Sequence, residues 1–367
     1  MWRISHLSAY VIGGALLAAC DRPREVAAPR DPGSPGTTSP VAAAAPTSRP
    51  RVLIQTLRPR WGLSPEAIAE IARDVPEVEV ITGVEDELPG LIPSADAFLG
   101  VPRRDLVAQG VKLRWVHVFS AGVDEVLHPE MMERPIALTN AKIIQGPEIA
   151  DHAMGLLLAL ARGLHRAVRR RELEEWRPLQ YEPIELRGKT AVLVGLGGIG
   201  IQIAERAAAH GMRVIGVDAG DVPYHASLSR ILRPEGFRDA LAEADVLFLA
   251  APLTPSTRGL VSRDELARMR RGAYLVNVSR GPLVDTAALV EALEGGQLAG
   301  AGLDVTDPEP LPRGHPLWKL DNVIITPHIA GVSDGAASRK LELVKDNVRR
   351  FASGLPLRNL VDKAKGY

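Results

Sequence analysis

The stretch TAVLVGLGGIG, residues 190–200, decides the fold of this chain. Its first five residues read as a buried strand, and Gly195, Gly197 and Gly200 then form a G-x-G-x-x-G motif that opens a helix ending near His210. In such a strand–turn–helix unit the first glycine permits the tight turn, and the second lets the backbone approach a pyrophosphate. The third lets the helix pack closely on the strand, and the helix N-terminus favours phosphate charge. The motif therefore predicts a dinucleotide-binding turn.

An acidic residue ends the next predicted strand: Asp218 follows the apolar run 213–217. A carboxylate at this position accepts hydrogen bonds from the adenosine ribose and repels a 2′-phosphate. Ala219 and Gly220 come next, so no arginine follows directly. A tight turn that binds no ligand is the alternative, which the agreement of strand, glycines, helix and acid disfavours. We predict NAD as the cofactor, with NADH preferred over NADPH, bound by Gly195, Gly197, Gly198, Ile199, Gly200 and Asp218.

Short apolar strands alternate with helical segments through the rest of the chain from Arg51 onward. A first series has predicted strands at 52–54, 78–82, 97–99 and 115–118, with a helix that Ser64 and Pro65 begin. The second series, which starts at residue 190, continues with strands at 246–250, 273–278, 300–304 and 323–326. This alternation predicts an α/β fold of two Rossmann-like, doubly wound parallel-sheet domains with a cleft between them.

Two long helices are predicted in addition to these series. Pro147–Arg171 reads as one helix that packs in the core or in a dimer contact, because its apolar section is too short to span a membrane. A final helix, about 333–353, is expected to return to the first domain. The predicted domains are a substrate domain of residues 51–150 completed by 331–367, and an NAD-binding domain of residues 151–330.

The composition excludes several classes of function. The chain has 44 basic and 44 acidic residues, so no global field attracts nucleic acid. The cluster Arg169–Arg171 is followed by acidic residues that neutralise it. Cys20 is the single cysteine, which rules out an intramolecular disulfide and a thiolate metal cage. We predict neither a metal site nor a nucleic-acid partner.

The first fifty residues differ from the rest. Residues 1–20 combine a weakly basic start with a short apolar stretch that ends in LAAC, which is typical of a signal peptide and resembles the lipobox of bacterial lipoproteins. Residues 21–50 are rich in proline and alanine and predict a flexible tether. We therefore expect a periplasm-facing lipoprotein that meets the membrane only through a lipid on Cys20. The alternative is that translation begins near Arg51 and the protein is cytoplasmic.

Polar side chains follow the later strands of the second series. Arg280 lies in VNVSRGPLVD, His328 lies in ITPHIAG, and GLDVTDPEPLP contains three acids, Asp304, Asp307 and Glu309. A ligand crevice opens at the carboxyl ends of parallel strands. Reduction of a 2-oxo acid needs a cation at the carboxylate and ketone and a proton donor at the oxygen, for which guanidinium and imidazolium are suited. A carboxylate beside the histidine favours its protonated form, and the three acids compete for that role.

Residues from about 51 to 360 resemble the D-isomer-specific 2-hydroxyacid dehydrogenase family. The resemblance rests on NVSRG, D-V-x-x-x-E-P and TPHIAG, and on HVFSAGVD with QGPEIADHAMGLLLALAR, which look closest to glyoxylate/hydroxypyruvate reductases and broad 2-oxoacid reductases. It implies that Arg280, Glu309 and His328 are catalytic. It also implies that Gly122 and Val123 bind the substrate carboxylate through their backbone together with Arg280, that Trp318 lies near the substrate side chain, and that Asp304 holds the nicotinamide carboxamide.

The resemblance further implies an activity and an assembly. The expected reaction is NAD-dependent interconversion of a small 2-oxo acid and its D-2-hydroxy acid, with reduction as the physiological direction. The expected assembly is a homodimer formed through the nucleotide-binding domains. The lipobox-like head is not part of the family's pattern. Two alternatives stay open: an NADH-sensing regulatory protein on the same fold, and an exported lipoprotein without turnover.

Overall fold

The computed structural model describes residues 48–57, 62–174, 176 and 182–367. The predicted signal peptide, Cys20 and the tether up to residue 47 lie outside the described residues. Within the described ranges, no helix combines the length and the apolar character that crossing a membrane requires.

The first sheet has five parallel strands in the order β2-β1-β3-β4-β5. These are β1 (Arg51–Gln55), β2 (Glu79–Gly83), β3 (Ala97–Leu99), β4 (Trp115–His117) and β5 (Ala137–Thr139). The helices between them are α1 (Pro65–Asp74), α2 (Leu88–Leu91), α3 (Arg104–Gln109) and α4 (Pro129–Glu133). Helix α1 begins as predicted, because the Ser64 hydroxyl accepts a hydrogen bond from the Ala67 N–H at 3.2 Å. The sequence predicted β1 to β4 but not β5.

The predicted single helix over 147–171 is wrong. The chain forms two helices there, α5 (Gly146–Ala161) and α6 (Leu164–Glu172). Gly163 between them has φ 66°, a left-handed conformation that glycine adopts without strain. The chain therefore changes direction at Gly163.

The second sheet has seven parallel strands in the order β12-β11-β10-β9-β6-β7-β8. The strands are β6 (Thr190–Val194), β7 (Arg213–Val217), β8 (Arg230–Leu232), β9 (Val246–Leu249), β10 (Ala273–Asn277), β11 (Leu298–Leu303) and β12 (Val323–Ile325). The helices are α7 (Gly198–Ala209), α8 (Phe237–Leu241), α9 (Arg263–Arg268) and α10 (Thr286–Glu294). The order reverses between β6 and β9, the switch point at which doubly wound sheets bind ligands. The predicted fold class is confirmed, although β8 was not predicted.

Helices cover both faces of the second sheet, which explains the continuous apolar runs of its strands. In β6, Ala191 and Leu193 belong to the cluster formed with α5 and α7. Val192 and Val194, which point the other way, belong to the cluster formed with α8, α9 and α10. Alternate residues of one strand thus fill two separate cores.

The last helix, α11 (Ala336–Ala352), packs against the first sheet. Val344 and Val348 are fully buried in the cluster that contains the β1 side chains. Lys345 Nζ lies 2.5 Å from the Glu70 carboxylate of α1. Helix α11 therefore packs into the core that β1 and α1 form.

A buried polar cluster links β4 and β5. His117 is 1% exposed, and its Nδ1 lies 2.8 Å from the Thr139 hydroxyl. The same hydroxyl oxygen accepts a hydrogen bond from Trp115 Nε1 at 2.9 Å. Burial, together with the positive charge of Lys340, lowers the pKa of His117 from 6.5 to about 3. The folded protein therefore holds this imidazole neutral over the physiological range.

This burial makes stability depend on pH. Below pH 6.5 the unfolded chain protonates His117 while the folded chain does not, until the pH approaches its folded pKa of about 3. Stability should therefore fall as pH falls through this window, by up to about 1.4 kcal/mol per pH unit from this group. His117→Gln should flatten that dependence in urea unfolding, with His210→Gln at the exposed end of α7 as the control. Equal slopes for His117→Gln and wild type would contradict this.

Candidate active site

The turn between β6 and α7 contains glycines with different structural roles. Gly195 has φ 92°, and a Cβ there would lie 2.5 Å from the backbone nitrogen of Ala251. A Cβ on Gly200 would lie 1.8 Å from the Gly195 carbonyl oxygen. Gly197 differs, because no atom lies within 4 Å of the place its Cβ would take. Gly195 and Gly200 are needed for packing, whereas Gly197 keeps a space open.

That space lies at the N-terminus of α7, which begins with Gly198 and Ile199. A Cβ on Gly198 would lie 2.6 Å from the Ile143 Cα, so the segment before α5 borders the space. Ile199 is half-buried and packs on the cluster of α5 and α7. The first N–H groups of a helix have no partner within it and attract anions. The open space at Gly197 and these N–H groups fit the pyrophosphate of a dinucleotide.

Asp218 connects this turn to the end of β7. Its Oδ2 accepts a hydrogen bond from the Leu196 N–H at 2.7 Å, and its Oδ1 accepts one from the Gly220 N–H at 2.7 Å. The carboxylate therefore lies at the glycine-rich turn, where the prediction placed an adenosine ribose.

Although no arginine follows Asp218 directly, the fold brings Arg233 to the same loop. Its Nη1 donates to the carbonyl oxygens of Ala219 and Gly220 at 2.7 and 2.6 Å, and its guanidinium pairs with Asp221. Sequence reasoning missed Arg233 because it missed β8, which ends beside β7 and delivers the arginine.

His328 and Glu309 form the central pair of the site. His328 Nδ1 lies 2.7 Å from Glu309 Oε1, so Glu309 is the acid that contacts the histidine. Their side chains are 43% and 40% exposed. His328 has φ 50°, and its N–H donates to the Asp304 carbonyl oxygen at 2.8 Å. The segment after β12 thus leaves the imidazole exposed to solvent, and Glu309 contacts its Nδ1.

The Asp304 carboxylate is enclosed by the chain. Its side chain is 1% exposed. Oδ1 accepts hydrogen bonds from the Thr326 hydroxyl at 2.6 Å and the Ile329 N–H at 2.9 Å, and Oδ2 accepts one from the Ala330 N–H at 2.9 Å. Asp304 therefore fixes the segment that carries His328, while its predicted contact with a nicotinamide carboxamide stays a prediction.

The loops after β4 and β10 bring Gly122, Val123 and Arg280 together. A Cβ on Gly122 would lie 1.8 Å from Arg280 Nη2, so a larger residue would push the guanidinium from this position. Val123 is 3% exposed and anchors its loop in the core of the first sheet. Arg280 Nε donates to Asp124 Oδ1 at 3.0 Å. Asp124 was missed because no local sequence signal connects two residues so far apart in the chain.

The loops that carry Arg280 and Glu309 also touch each other. A Cβ on Gly281, directly after Arg280, would lie 1.9 Å from the Thr306 carbonyl oxygen. The Thr306 N–H donates to Glu309 Oε2 at 3.3 Å. The arginine and the His328–Glu309 pair therefore belong to one continuous site at the carboxyl edge of the second sheet.

Trp318 is the last of the predicted site residues. Its side chain is half exposed, and its Nε1 donates to the Pro312 carbonyl oxygen at 3.0 Å. Its predicted place beside the substrate side chain stays a prediction. In the ranges that the structure describes, no three His, Cys, Asp or Glu side chains are grouped to hold a metal ion.

The two kinds of glycine should respond differently to a methyl group. The free energy of unfolding of Gly197→Ala should stay within about 1 kcal/mol of the wild-type value, because its Cβ enters open space. It should nevertheless weaken NADH binding at least about tenfold, because the methyl occupies the place of the pyrophosphate. Gly200→Ala is the matched comparison. It should lower the free energy of unfolding by more than about 2 kcal/mol, because its Cβ would collide with the Gly195 carbonyl. Urea unfolding and NADH fluorescence titration measure both effects; wild-type NADH affinity in Gly197→Ala would refute this use of the turn.

Known proteins share this sequence and this fold. A family model described as D-isomer specific 2-hydroxyacid dehydrogenase, NAD binding domain, matches residues 154–330. The glyoxylate reductase of Thermofilum pendens is 32% identical, over 86% of this chain and 95% of its own length. The D-3-phosphoglycerate dehydrogenase of Methanocaldococcus jannaschii is 35% identical over 81% of this chain, which spans only 57% of that relative.

Solved structures agree with these relatives. The D-isomer specific 2-hydroxyacid dehydrogenase of Xanthobacter autotrophicus, in complex with NADPH, is 28% identical with a TM-score of 0.74, covering 88% of this chain and 100% of its own. The NADPH-dependent glyoxylate/hydroxypyruvate reductase of Sinorhizobium meliloti is 27% identical with a TM-score of 0.74, covering 87% and 100%. The chain belongs to the D-isomer-specific 2-hydroxyacid dehydrogenase family.

Proposed function

We propose that the protein is an NAD-dependent oxidoreductase that reduces a small 2-oxo acid to its D-2-hydroxy acid. The observation that carries this proposal is the 2.7 Å contact between His328 Nδ1 and Glu309 Oε1. It leaves Nε2, which has no hydrogen-bond partner among the described residues, to exchange a proton with a substrate oxygen. The glyoxylate reductases of Thermofilum pendens and Pyrococcus horikoshii, 32% and 36% identical, support this substrate class.

Each residue of the site has a separate task. The Arg280 guanidinium binds the substrate carboxylate and polarises the neighbouring ketone. The backbone of Gly122 and Val123 binds the same substrate carboxylate from the other side. Bound at the open space of Gly197, NADH supplies the hydride. Protonated His328 gives its Nε2 proton to the oxygen that would otherwise become an alkoxide, and Glu309 orients the ring through Nδ1.

Turnover separates this proposal from the sensing alternative. Wild-type protein with NADH should reduce at least one of glyoxylate, hydroxypyruvate and phenylpyruvate in a steady-state assay. His328→Ala should lower kcat on the order of a hundredfold, because it removes the proton donor. In Glu309→Gln an amide oxygen still accepts from Nδ1 and only the negative charge is lost. Its kcat should therefore fall less than that of His328→Ala. Near-normal turnover in His328→Ala would sink the assignment, and NADH binding with no turnover would favour a sensor.

The cofactor preference rests on charge at the ribose loop. Asp218 and Asp221 both lie there, and Arg233 directs its donors to Ala219, Gly220 and Asp221. A 2′-phosphate would meet two carboxylates and one arginine that is already paired. We therefore infer that NADH is preferred over NADPH, although solved relatives from Xanthobacter and Sinorhizobium use or hold NADPH.

The ratio of kcat/KM for NADH to that for NADPH tests this preference. Asp218→Ala should lower the ratio at least about tenfold, because the repulsion of the 2′-phosphate and the ribose hydrogen bonds are both lost. Asp264→Ala, which removes an exposed carboxylate on α9 and none on this loop, is the control and should leave the ratio unchanged. A wild-type ratio at or below one would overturn the preference.

We also propose that the protein is a homodimer. Leu164 and Val168, one turn apart on α6, are each 53% exposed. An apolar stripe of this kind on one helix face is typical of a subunit interface. Sedimentation of wild type beside Leu164→Lys/Val168→Lys measures the assembly, with a dimer expected for the first and a monomer for the second.

The location of the protein is a separate proposal. We propose that the chain is exported and carries a lipid on Cys20, with residues 21–50 as its tether, on the support of LAAC and the apolar stretch before it. The protein would then fractionate with membranes of its bacterial host, and Cys20→Ala would release it. Native soluble protein that starts near Arg51 would favour the cytoplasmic alternative.

A further inference from the structure

We propose that Asp124 is a positioning residue for Arg280, and that it decides which edge of the guanidinium meets the substrate carboxylate. This inference rests on the proposed function, because it concerns the same site. Asp124 lies in the loop after β4 of the first sheet, and Arg280 lies after β10 of the second. Their ion pair therefore joins the two sheets' loops across the site.

The hydrogen bonds of Arg280 show how it is held. Nε donates to Asp124 Oδ1 at 3.0 Å, and Nη1 donates to the Ser279 carbonyl oxygen at 2.9 Å. Among the described residues no acceptor contacts Nη2. The side chains of Arg280 and Asp124 are 23% and 19% exposed, so the pair is partly shielded from water but open on one side.

A guanidinium can bind a carboxylate bidentately along two edges. One edge is formed by Nε and Nη2, and the other by Nη1 and Nη2. Asp124 occupies the first edge by taking the Nε–H. Nη1 carries two N–H groups and gives one to Ser279, so a substrate carboxylate is left with the end formed by the other N–H of Nη1 and by Nη2.

Gly122 makes this orientation possible. A Cβ on Gly122 would lie only 1.8 Å from Arg280 Nη2. The end of the guanidinium therefore lies directly against the loop backbone. That loop is the one predicted to bind the substrate carboxylate, and Val123 anchors it in the core. Without Asp124, the guanidinium keeps one bond among the described residues, to the Ser279 carbonyl oxygen, so its end can rotate away from Gly122.

A pair of variants at Asp124 separates positioning from charge. Asp124→Ala removes the acceptor, so KM for the 2-oxo acid should rise at least about tenfold while KM for NADH stays within about twofold. Asp124→Asn keeps an oxygen that accepts from Nε, so KM for the 2-oxo acid should stay within about threefold of wild type. A rise in Asp124→Asn equal to that in Asp124→Ala would overturn the positioning role.

A double-mutant cycle with Arg280→Lys then tests whether Asp124 acts through Arg280. Lysine has no Nε edge, so adding Asp124→Ala to Arg280→Lys should change KM for the 2-oxo acid by no more than about twofold. A further tenfold rise, as independent sites would give, would contradict the proposal. Wild-type protein that reduces no 2-oxo acid would show instead that the proposed function fails, and this inference would fail with it.

Discussion

The contact between Gly200 and the Gly195 carbonyl oxygen, where no side chain fits, is the constraint on which the site depends. It brings the start of α7 against the end of β6, where the strand order of the second sheet reverses. The Asp218 carboxylate then binds the Leu196 N–H within the same turn and ties it to β7. The helix terminus, the open space at Gly197 and the Asp218 carboxylate are therefore held together by one turn, and this arrangement fits the pyrophosphate of a dinucleotide.

The groups proposed to act on the substrate depend on the other half of the same sheet. Arg280, Asp304 and His328 follow β10, β11 and β12, which are adjacent and parallel, so all three meet at one edge. Asp304 uses its buried carboxylate to hold the backbone that presents His328. Buried carboxylates of this kind are stable only when their oxygens are satisfied, as these are. The exposed pair of His328 and Glu309 is thus positioned by a buried acid that need not touch the substrate.

Most strands of both sheets and most residues of the site could be predicted from the sequence. Strands buried on both faces give continuous apolar runs, and these runs end in polar or glycine residues. The strands β5 and β8 were missed because each is a three-residue edge strand with only two apolar residues. The break at Gly163 was missed because a single glycine is tolerated within a helical pattern. Among the three acids near His328, the spacing of the residues does not separate Glu309 from Asp304; the structure does, because Glu309 contacts the imidazole and Asp304 faces inward. Arg233 and Asp124 act through partners on other elements, which a local pattern does not reveal.

The claim that joins these parts is that the cleft delivers hydride and proton to one defined face of a 2-oxo acid. The configuration of the product tests it most directly. Hydroxypyruvate reduced by this protein with NADH, and analysed by chiral chromatography, should give D-glycerate alone. L-glycerate or a racemic mixture would contradict the account, because a fixed guanidinium, a fixed imidazole and one dinucleotide site leave a single face of the ketone open to reaction.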